Sequence, residues 1–353
     1  MTRPRRDRIR SLDELTLLDL EGIDIALRGG SVVDWHRLSF TGRDEAAAFL
    51  RAQEMDVEDA ADRARLEALK NAAIDYLRRH FDFPVPRPVA NDDVVSLLVR
   101  ASGKGHRQLC ACTILKVMHI MHHLEARELL FMLPTSHEQM FRLVEKKVYA
   151  VIGDALAQGM PIVEFIGGRK TKDSLYAKLL SKPEADATHV YDRLRFRIVT
   201  VERDDIFPVL SYLLRNLAPC NAVVPGQSTN TIFGLRTYCE RHEALRELLP
   251  LMQRQPDPQL EAEPTELDNR FSASSYRVLH FVIDVPVRIP DALLEAAPPA
   301  AWPLGRVLLV QAEIQIIDQT TDRLNEEGDA SHEAYKRRQK LAIMRRLKVG
   351  NAD

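Results

Sequence analysis

The pattern of hydrophobic and polar residues changes near residue 135. Before this point, runs rich in Ala, Glu and Arg and one strongly apolar run favour helices, which we predict at about 45–79, 92–100 and 108–130. After it, a capping box of Ser136 with Gln139 begins a helix that extends to about Gln158. Apolar, β-branched runs then alternate with helical segments, as is typical of an α/β domain.

The second half of the chain is predicted to form a mixed β-sheet flanked by helices. The predicted strands lie at about 162–166, 194–201, 278–285 and 307–317, and the predicted helices at 171–180, 206–217 and 320–347. The segment 219–270 is charged and rich in proline, so we predict an irregular insertion there. The fold class is therefore α/β (α+β), with a helical N-terminal domain over 1–135 and a second domain over 136–348.

The last predicted strand carries a carboxylate at a position where burial is expected. Because side chains alternate between the two faces of a strand, Gln311, Glu313 and Gln315 point to one face, opposite Ala312 and Ile314. A buried carboxylate without a partner is costly. Glu313 is therefore either paired structurally or holds a metal ion or a proton in an active site.

Basic residues follow the first predicted strand. Gly167-Gly168-Arg169-Lys170 is predicted as a loop whose glycines would let the backbone approach a ligand. Lys170, Ser174 and Lys178 are spaced four residues apart, so they lie along one helix face. This face suits phosphate oxygens, although a solvated amphipathic helix has the same pattern.

Three arginines share one face of the second predicted strand. Arg193, Arg195 and Arg197 would repel one another there unless the strand faces water at the sheet edge or binds a polyphosphate. Asp192 begins this strand and could reach a divalent cation. Mg²⁺ prefers one or two carboxylates together with phosphate oxygens.

Charge and cysteine content narrow the class of protein. The 353 residues carry a formal net charge of −2, but the segments 1–10 and 336–348 are strongly basic, which indicates either solvated ends or a nucleic-acid contact. The four cysteines form no CxxC pair, which suits a reduced cytoplasmic protein. No signal peptide and no membrane span are expected.

Taken in order, these segments resemble the synthetase domain of the RelA/SpoT family, the alarmone (ppGpp) synthetases. The resemblance covers about 140–345 and five motifs. The matching residues are Lys170, Ser174 and Lys178; Asp192 and Arg197; Tyr276, Leu279 and His280; Glu313, Gln315 and Ile316; and Glu326, Gly328, Ala330, His332, Tyr335 and Lys336.

The resemblance implies an ATP-dependent pyrophosphokinase that transfers the β,γ-pyrophosphate of ATP to the ribose 3′-hydroxyl of GDP or GTP, with Mg²⁺ as cofactor. It implies that Asp192 and Glu313 are catalytic and hold the metal ion, and that Glu313 accepts the hydroxyl proton. The implied ATP-binding residues are Arg169, Lys170, Ser174, Lys178 and Arg197, and the implied acceptor-binding residues are Tyr276, His280 and Gln315.

The chain departs from the family pattern at three places. Gly168 stands where the family has an arginine, Ser274-Ser275 replaces Asn-Gly, and Ile317-Asp318 replaces Arg-Thr. Two alternatives therefore stay open: a toxin-like relative that acts on tRNA or adenosine nucleotides, and an inactive nucleotide- or RNA-binding module.

The N-terminal half does not resemble the hydrolase domain of this family, because the chain has no His-Asp dipeptide. Its histidines His119, His122 and His123 could share a helix face and bind a metal ion, but a core or surface role is favoured. A regulatory or interaction role is expected for this half.

Overall fold

A computed structural model of the protein describes residues 6–181, 193–252, 273 and 275–347. Within them, five strands form one sheet in the order β1-β2-β5-β4-β3. The strands are β1 (Ile162–Arg169), β2 (Leu194–Thr200), β3 (Val223–Asn230), β4 (Leu279–Arg288) and β5 (Val307–Asp318). The pair β2–β5 is parallel and the other pairs are antiparallel. The mixed sheet and the helical N-terminal region confirm the predicted fold class.

Among the described residues, seven helices precede the first strand, and seven more connect or follow the strands. They are α1 (Leu17–Arg28), α2 (Arg43–Ala52), α3 (Ala60–Phe81), α4 (Arg87–Ala90), α5 (Val94–Ala101), α6 (His106–Met132), α7 (His137–Ala157), α8 (Lys172–Ser181), α9 (Ile206–Asn216), α10 (Leu235–Arg241), α11 (Glu243–Leu248), α12 (Asp291–Glu295), α13 (Gln319–Asn325) and α14 (His332–Leu347). None of the helices in the described ranges is long and apolar enough to cross a bilayer.

The sheet has one apolar face and one largely polar face. On β5 the side chains of Ala312, Ile314 and Ile316 are buried in the main core, together with Phe196 of β2 and Phe281 of β4. Helices α1, α7 and α9 contribute to the same core and cover this face. The opposite face carries the alternate residues of each strand and is largely polar.

A second apolar core lies among α2, α3, α5 and α6. The predicted division at residue 135 stays a prediction, and side-chain packing adds one detail to it: α1 belongs to the core of the sheet. A buried ion-pair network joins the two parts, because Arg215 of α9 contacts both Asp19 of α1 and Glu45 of α2. Ser211 also donates to Asp19 at 2.7 Å.

Two long predicted helices are each divided in the structure. The run 45–79 forms α2 and α3, because Glu54 adopts a left-handed conformation (φ 62°) and Asp59 caps α3 through Ala61 and Asp62. The run 320–347 forms α13 and α14, which are separated by a 3₁₀ turn at Gly328–Ala330.

The prediction of an irregular insertion over 219–270 was wrong for its first part. Residues Val223–Asn230 form the edge strand β3, and α10 and α11 follow it. Pro225 and Gly226 interrupt the apolar pattern of this strand, and its pairing with β4 is irregular between Val223 and Ser228. These residues therefore gave no strand signal.

Three histidines of α6, His119, His122 and His123, are buried or partly buried. His122 is only 8% exposed, and burial lowers its pKa to about 3. In the described part of the chain, no set of three His, Cys, Asp or Glu side chains is arranged to hold a metal ion. The packing of His122 thus agrees with the favoured core role.

Acid is expected to destabilise the protein through His122. Because its folded pKa lies below that of the unfolded chain, stability is fully present above about pH 6.5 and is lost as the pH falls toward 3. Lowering the pH from 7 to 5 should cost about 2 kcal/mol through this residue. The free energy of unfolding in urea at the two pH values measures this cost, and His122→Phe should remove it. An unchanged pH dependence in His122→Phe would contradict the assignment.

Candidate functional site

A cleft of about 830 Å³ lies over the polar face of the sheet. Its floor is formed by the strands, and its walls by α8, α14 and the segment before β4. The predicted site residues that line it are Arg169, Lys170, Ser174, Lys178, Arg197, Tyr276, His280, Glu313 and Gln315. Asp192, the remaining predicted site residue, lies outside the described residues. The structure thus brings together residues that are more than 140 positions apart in the chain.

The strand register arranges the polar side chains on the floor. Arg195 of β2 lies opposite Glu313 of β5, and Arg197 lies opposite Gln315. On the other side of β5, His280 of β4 pairs with Gln315. The arginine-bearing strand β2 and the strand β5 that carries Glu313 are therefore direct neighbours in the sheet.

Glu313 is held by a hydrogen-bonded chain. Arg195 donates to the Oε1 of Gln315, and the Nε2 of Gln315 donates to Glu313 Oε1 at 2.5 Å. Glu313 is 7% exposed and Gln315 is 9% exposed, so little water reaches these hydrogen bonds. A buried carboxylate that receives a hydrogen bond within a polar cleft is oriented toward whatever the cleft binds.

The cleft is strongly cationic. Among the described residues that line it, seven are Lys or Arg and two are Glu, although the whole chain has a net charge of −2. Lys170 and Lys178 come from the α8 side, and Lys336 and Arg338 come from α14. So many cations facing one space favour a polyanionic ligand.

Contacts between α8 and α14 hold the two cationic walls together. Gln339 donates to the hydroxyl of Ser181 at 3.4 Å, and both residues are buried. Arg346 donates to the backbone oxygens of Leu179 and Leu180 at the C-terminal end of α8. Lys336 and Arg338 of α14 therefore reach the cleft because α14 packs on α8, which carries Lys178.

Two of the predicted phosphate-binding arginines already have carboxylate partners. Arg169 contacts Glu145 and Glu138 of α7, each at 2.6 Å, and the hydrogen bond to Glu145 contributes most to raising the pKa of Arg169. Arg197 is paired with Asp322 of α13. A guanidinium has five N–H donors in a fixed plane, so such a partner also fixes its orientation.

The prediction of a Gly-Gly-Arg-Lys loop was wrong. Gly167 and Gly168 lie within β1 and pair with Phe196 and Arg195 of β2. A Cβ atom at Gly167 would lie 2.5 Å from the hydroxyl oxygen of Tyr149 and 3.2 Å from the ring of Phe196, so a larger residue there would displace the Tyr149 side chain. Gly168 faces the cleft, where a Cβ atom would meet nothing within 4 Å.

Tyr276 lines the cleft on a segment that is fixed at two points. The side chain of Asn325 accepts from the backbone N–H of Arg277 at 3.0 Å and donates to its carbonyl at 2.6 Å. Thr231 accepts from the N–H of Val278 at 2.8 Å. Burial raises the pKa of the Tyr276 hydroxyl, so the ring stays neutral at ordinary pH.

The departure at Ile317-Asp318 has a structural role. Asp318 caps α13 by accepting from the N–H of Thr321 at 2.9 Å. The helix that begins there carries Asp322, the partner of Arg197, and Asn325, the clamp on the Tyr276 segment. Asp318, which stands where the family pattern has threonine, therefore supports the cleft through α13.

Several residues of the site were not assigned from the sequence. Arg195 was found on the arginine face, but its contact with Gln315 depends on the register of β2 and β5. The cleft-lining residues Gln227, Ser228 and Thr229 lie on the unpredicted strand β3. Glu138 and Glu145, seven residues apart on α7, gave no signal beyond that of an ordinary helix face.

No protein family model matches the chain, and no curated protein matches it. Solved structures do match, over 61–64% of the chain. Small alarmone synthetase 2 from Bacillus subtilis matches with 18% identity over 97% of its own chain and a TM-score of 0.28. A GTP pyrophosphokinase family protein from Streptococcus pneumoniae matches with 14% identity over 90% of its chain and a TM-score of 0.29.

A third match is small alarmone synthetase 1 from Bacillus subtilis, whose structure holds its product pppGpp. It is 14% identical to this chain, and the match covers 90% of its length with a TM-score of 0.29. These proteins belong to the group that the sequence motifs resemble.

We expect Asn325→Ala to loosen the Tyr276 segment. The change leaves two backbone groups of Arg277 without their partner, which should cost about 1–3 kcal/mol of unfolding free energy. Urea denaturation measures the cost, with the exposed Asn71→Ala on α3 as a control. Equal stability of the two variants would show that Asn325 does not fix this segment.

Proposed function

We propose that the protein is a Mg²⁺-dependent nucleotide pyrophosphokinase that transfers the β,γ-pyrophosphate of ATP to the 3′-hydroxyl of GDP or GTP. One observation carries this proposal: a buried carboxylate, Glu313, lies on the floor of a cleft with cationic walls, and Tyr276 lines the same cleft. A carboxylate can accept the proton of an attacking hydroxyl, cations can bind the transferred phosphate group, and an aromatic ring can stack on a nucleobase.

The cationic walls suit the phosphates of ATP. Lys170 and Lys178 on one side and Lys336 and Arg338 on the other would distribute the negative charge that develops as pyrophosphate moves. Arg195 and Arg197 on the floor add positive charge below it. Little covalent chemistry is needed from the protein in such a transfer, because positioning and charge stabilisation supply most of the rate.

Glu313 is the proposed general base. It would accept the proton of the 3′-hydroxyl while the 3′-oxygen bonds to the β-phosphorus, the bond from that phosphorus to the α-phosphate breaks, and AMP leaves. The hydrogen bond from Gln315, itself held by Arg195, orients the carboxylate for this step.

The donor groups of the cleft fit a hard divalent cation. Glu313 and Glu326 are the carboxylates among the described lining residues, and Mg²⁺ is bound by one or two carboxylates plus substrate phosphate oxygens. We propose Glu313 and Asp192 as the ligands, the latter lying outside the described residues. The ion would neutralise charge on the phosphates of ATP.

The acceptor nucleoside is proposed to bind at the β4 side of the cleft. Tyr276 would stack on the base, and His280 and Gln315 would lie beside the sugar. Thr229 of β3 pairs with His280, so this edge strand adds polar groups next to the acceptor. Its side chains are therefore candidates for distinguishing guanosine from adenosine acceptors.

Replacement of Glu313 by Gln tests the proposed base directly. The amide keeps the shape of the side chain but accepts no proton, so the turnover number should fall by about 10²–10⁴ while ATP still binds. Purified protein with labelled ATP, Mg²⁺ and GDP or GTP gives the rate of 3′-pyrophosphorylation. Glu327→Gln, an exposed residue that does not line the cleft, is the matched control. A Glu313→Gln variant as active as the wild type would rule out this mechanism.

Substitution of Tyr276 tests the acceptor site. Tyr276→Ala removes the stacking surface, so KM for the acceptor should rise about tenfold or more while KM for ATP changes little. Tyr276→Phe keeps the ring and should retain the wild-type KM. Parallel changes in both KM values would place Tyr276 outside the acceptor site.

The basic surface of α14 favours a second candidate, a transferase that acts on RNA. Beyond the cleft residues Lys336 and Arg338, the helix carries Lys340, Arg345 and Arg346, which would suit a longer polyanion such as tRNA. Labelled γ-phosphate transferred to tRNA, with none on free nucleotides, would favour it. Tight nucleotide binding without turnover on any acceptor would instead indicate an inactive binding module.

A further inference from the structure

A second cavity lies far from the chemistry of the cleft, at the junction of the two apolar cores. It has a volume of about 110 Å³ and shares no lining residue with the cleft. Most of its wall is apolar, with contributions from Trp35, Phe40, Leu69 and Met118. Cys220 of the sheet-side core and the adjacent Asn221 line it opposite α6.

Several residues around this cavity carry polar atoms without partners. Both ring nitrogens of His122, the Nδ1 of His119 and the Oδ1 of Asn221 are buried and have no hydrogen-bond partner among the described residues. All three residues line the cavity, and His122 is 8% exposed. Buried polar groups almost always have hydrogen bonds, so three such residues around one cavity indicate a place built to receive a polar group.

The chemistry of the imidazole defines the group that fits. Burial keeps His122 neutral, so one ring nitrogen donates a hydrogen bond and the other accepts one. A hydroxyl group also donates and accepts, and it can therefore pair with one ring nitrogen of the neutral imidazole or bridge His122 and Asn221. The remaining wall is mainly apolar, although Gln53 and Lys116 also line it, and this suits a hydrocarbon ring or a short branched chain.

We propose that this cavity is a binding site for a small, neutral, mainly apolar molecule that carries one hydroxyl group, of the phenol or short-alcohol type. The size agrees, since an apolar cavity of about 150 Å³ in another protein binds benzene. The cavity lies where α6 of the helical half meets the turn that leads into β3, so the ligand would contact both halves of the chain. This site is independent of the activity proposed for the cleft.

Binding of three probes of similar size tests the proposal. Phenol, benzene and benzoate are titrated into the full-length protein, with calorimetry for affinity and ¹⁵N NMR for the histidine side chains. Phenol should bind about tenfold more tightly than benzene, because only phenol satisfies the histidine. It should also shift the ring ¹⁵N signals of His122. Lys116 lines the cavity as well, so tighter binding of benzoate than of phenol would overturn the neutral class.

A histidine variant separates this site from other binding places. His122→Phe keeps a flat ring but removes the polar atoms, so phenol and benzene should then bind about equally. His80→Phe, an exposed residue of α3, is the matched control and should keep the preference for phenol. The proposal is overturned if phenol does not bind the wild type, if benzene binds it equally well, or if the His122 signals do not respond to phenol. The first of these results would leave water as the only occupant.

Discussion

The parallel pairing of β2 with β5 is the constraint on which the site depends. It is the one parallel pair among the described strands, and its register sets Arg195 beside Glu313 and Arg197 beside Gln315. A shift by one residue would turn these side chains into the apolar core and bring Phe196 and Ile314 to the surface. The burial of the apolar face therefore fixes the position of every charged group on the polar face. The core and the cleft are two consequences of the same alternation.

The alternation itself could be predicted from the sequence. The faces of Gln311, Glu313 and Gln315, and of Arg195 and Arg197, follow from a period of two along a strand. The partners of these groups could not be predicted, since Glu138, Glu145 and Asp322 come from helices whose packing is a tertiary property. The error at Gly167 has the same origin, because a glycine that packs against Tyr149 within a strand cannot be distinguished in the sequence from a glycine in a ligand-binding loop. Local patterns thus identified which residues face the cleft, but not what holds them there.

The paired arginines address a problem that any cationic cleft has. Seven positive side chains in one space repel one another when no anion is present, which works against folding. Carboxylates behind the cleft reduce this repulsion, because Arg169 has two partners on α7 and Arg197 has one on α13. Both arginines are partly exposed, so these ion pairs contribute modestly to stability. Their larger effect is on orientation, since a guanidinium held by carboxylates presents its remaining N–H groups in a fixed direction.

The helix α13 shows how the departure from the family pattern and the cleft are connected. Asp318 is 5% exposed and begins the helix, and one turn later Asp322 holds Arg197 while Asn325 holds the backbone beside Tyr276. In the family pattern the threonine stands at position 318 and the arginine at position 317. Threonine and aspartate both cap helices, so the change at 318 keeps the start of α13. The change that removes a positive charge is the one at Ile317, which is 2% exposed. In the proposed reaction, the phosphates are therefore left to the lysines and arginines that line the cleft from α8, β2 and α14.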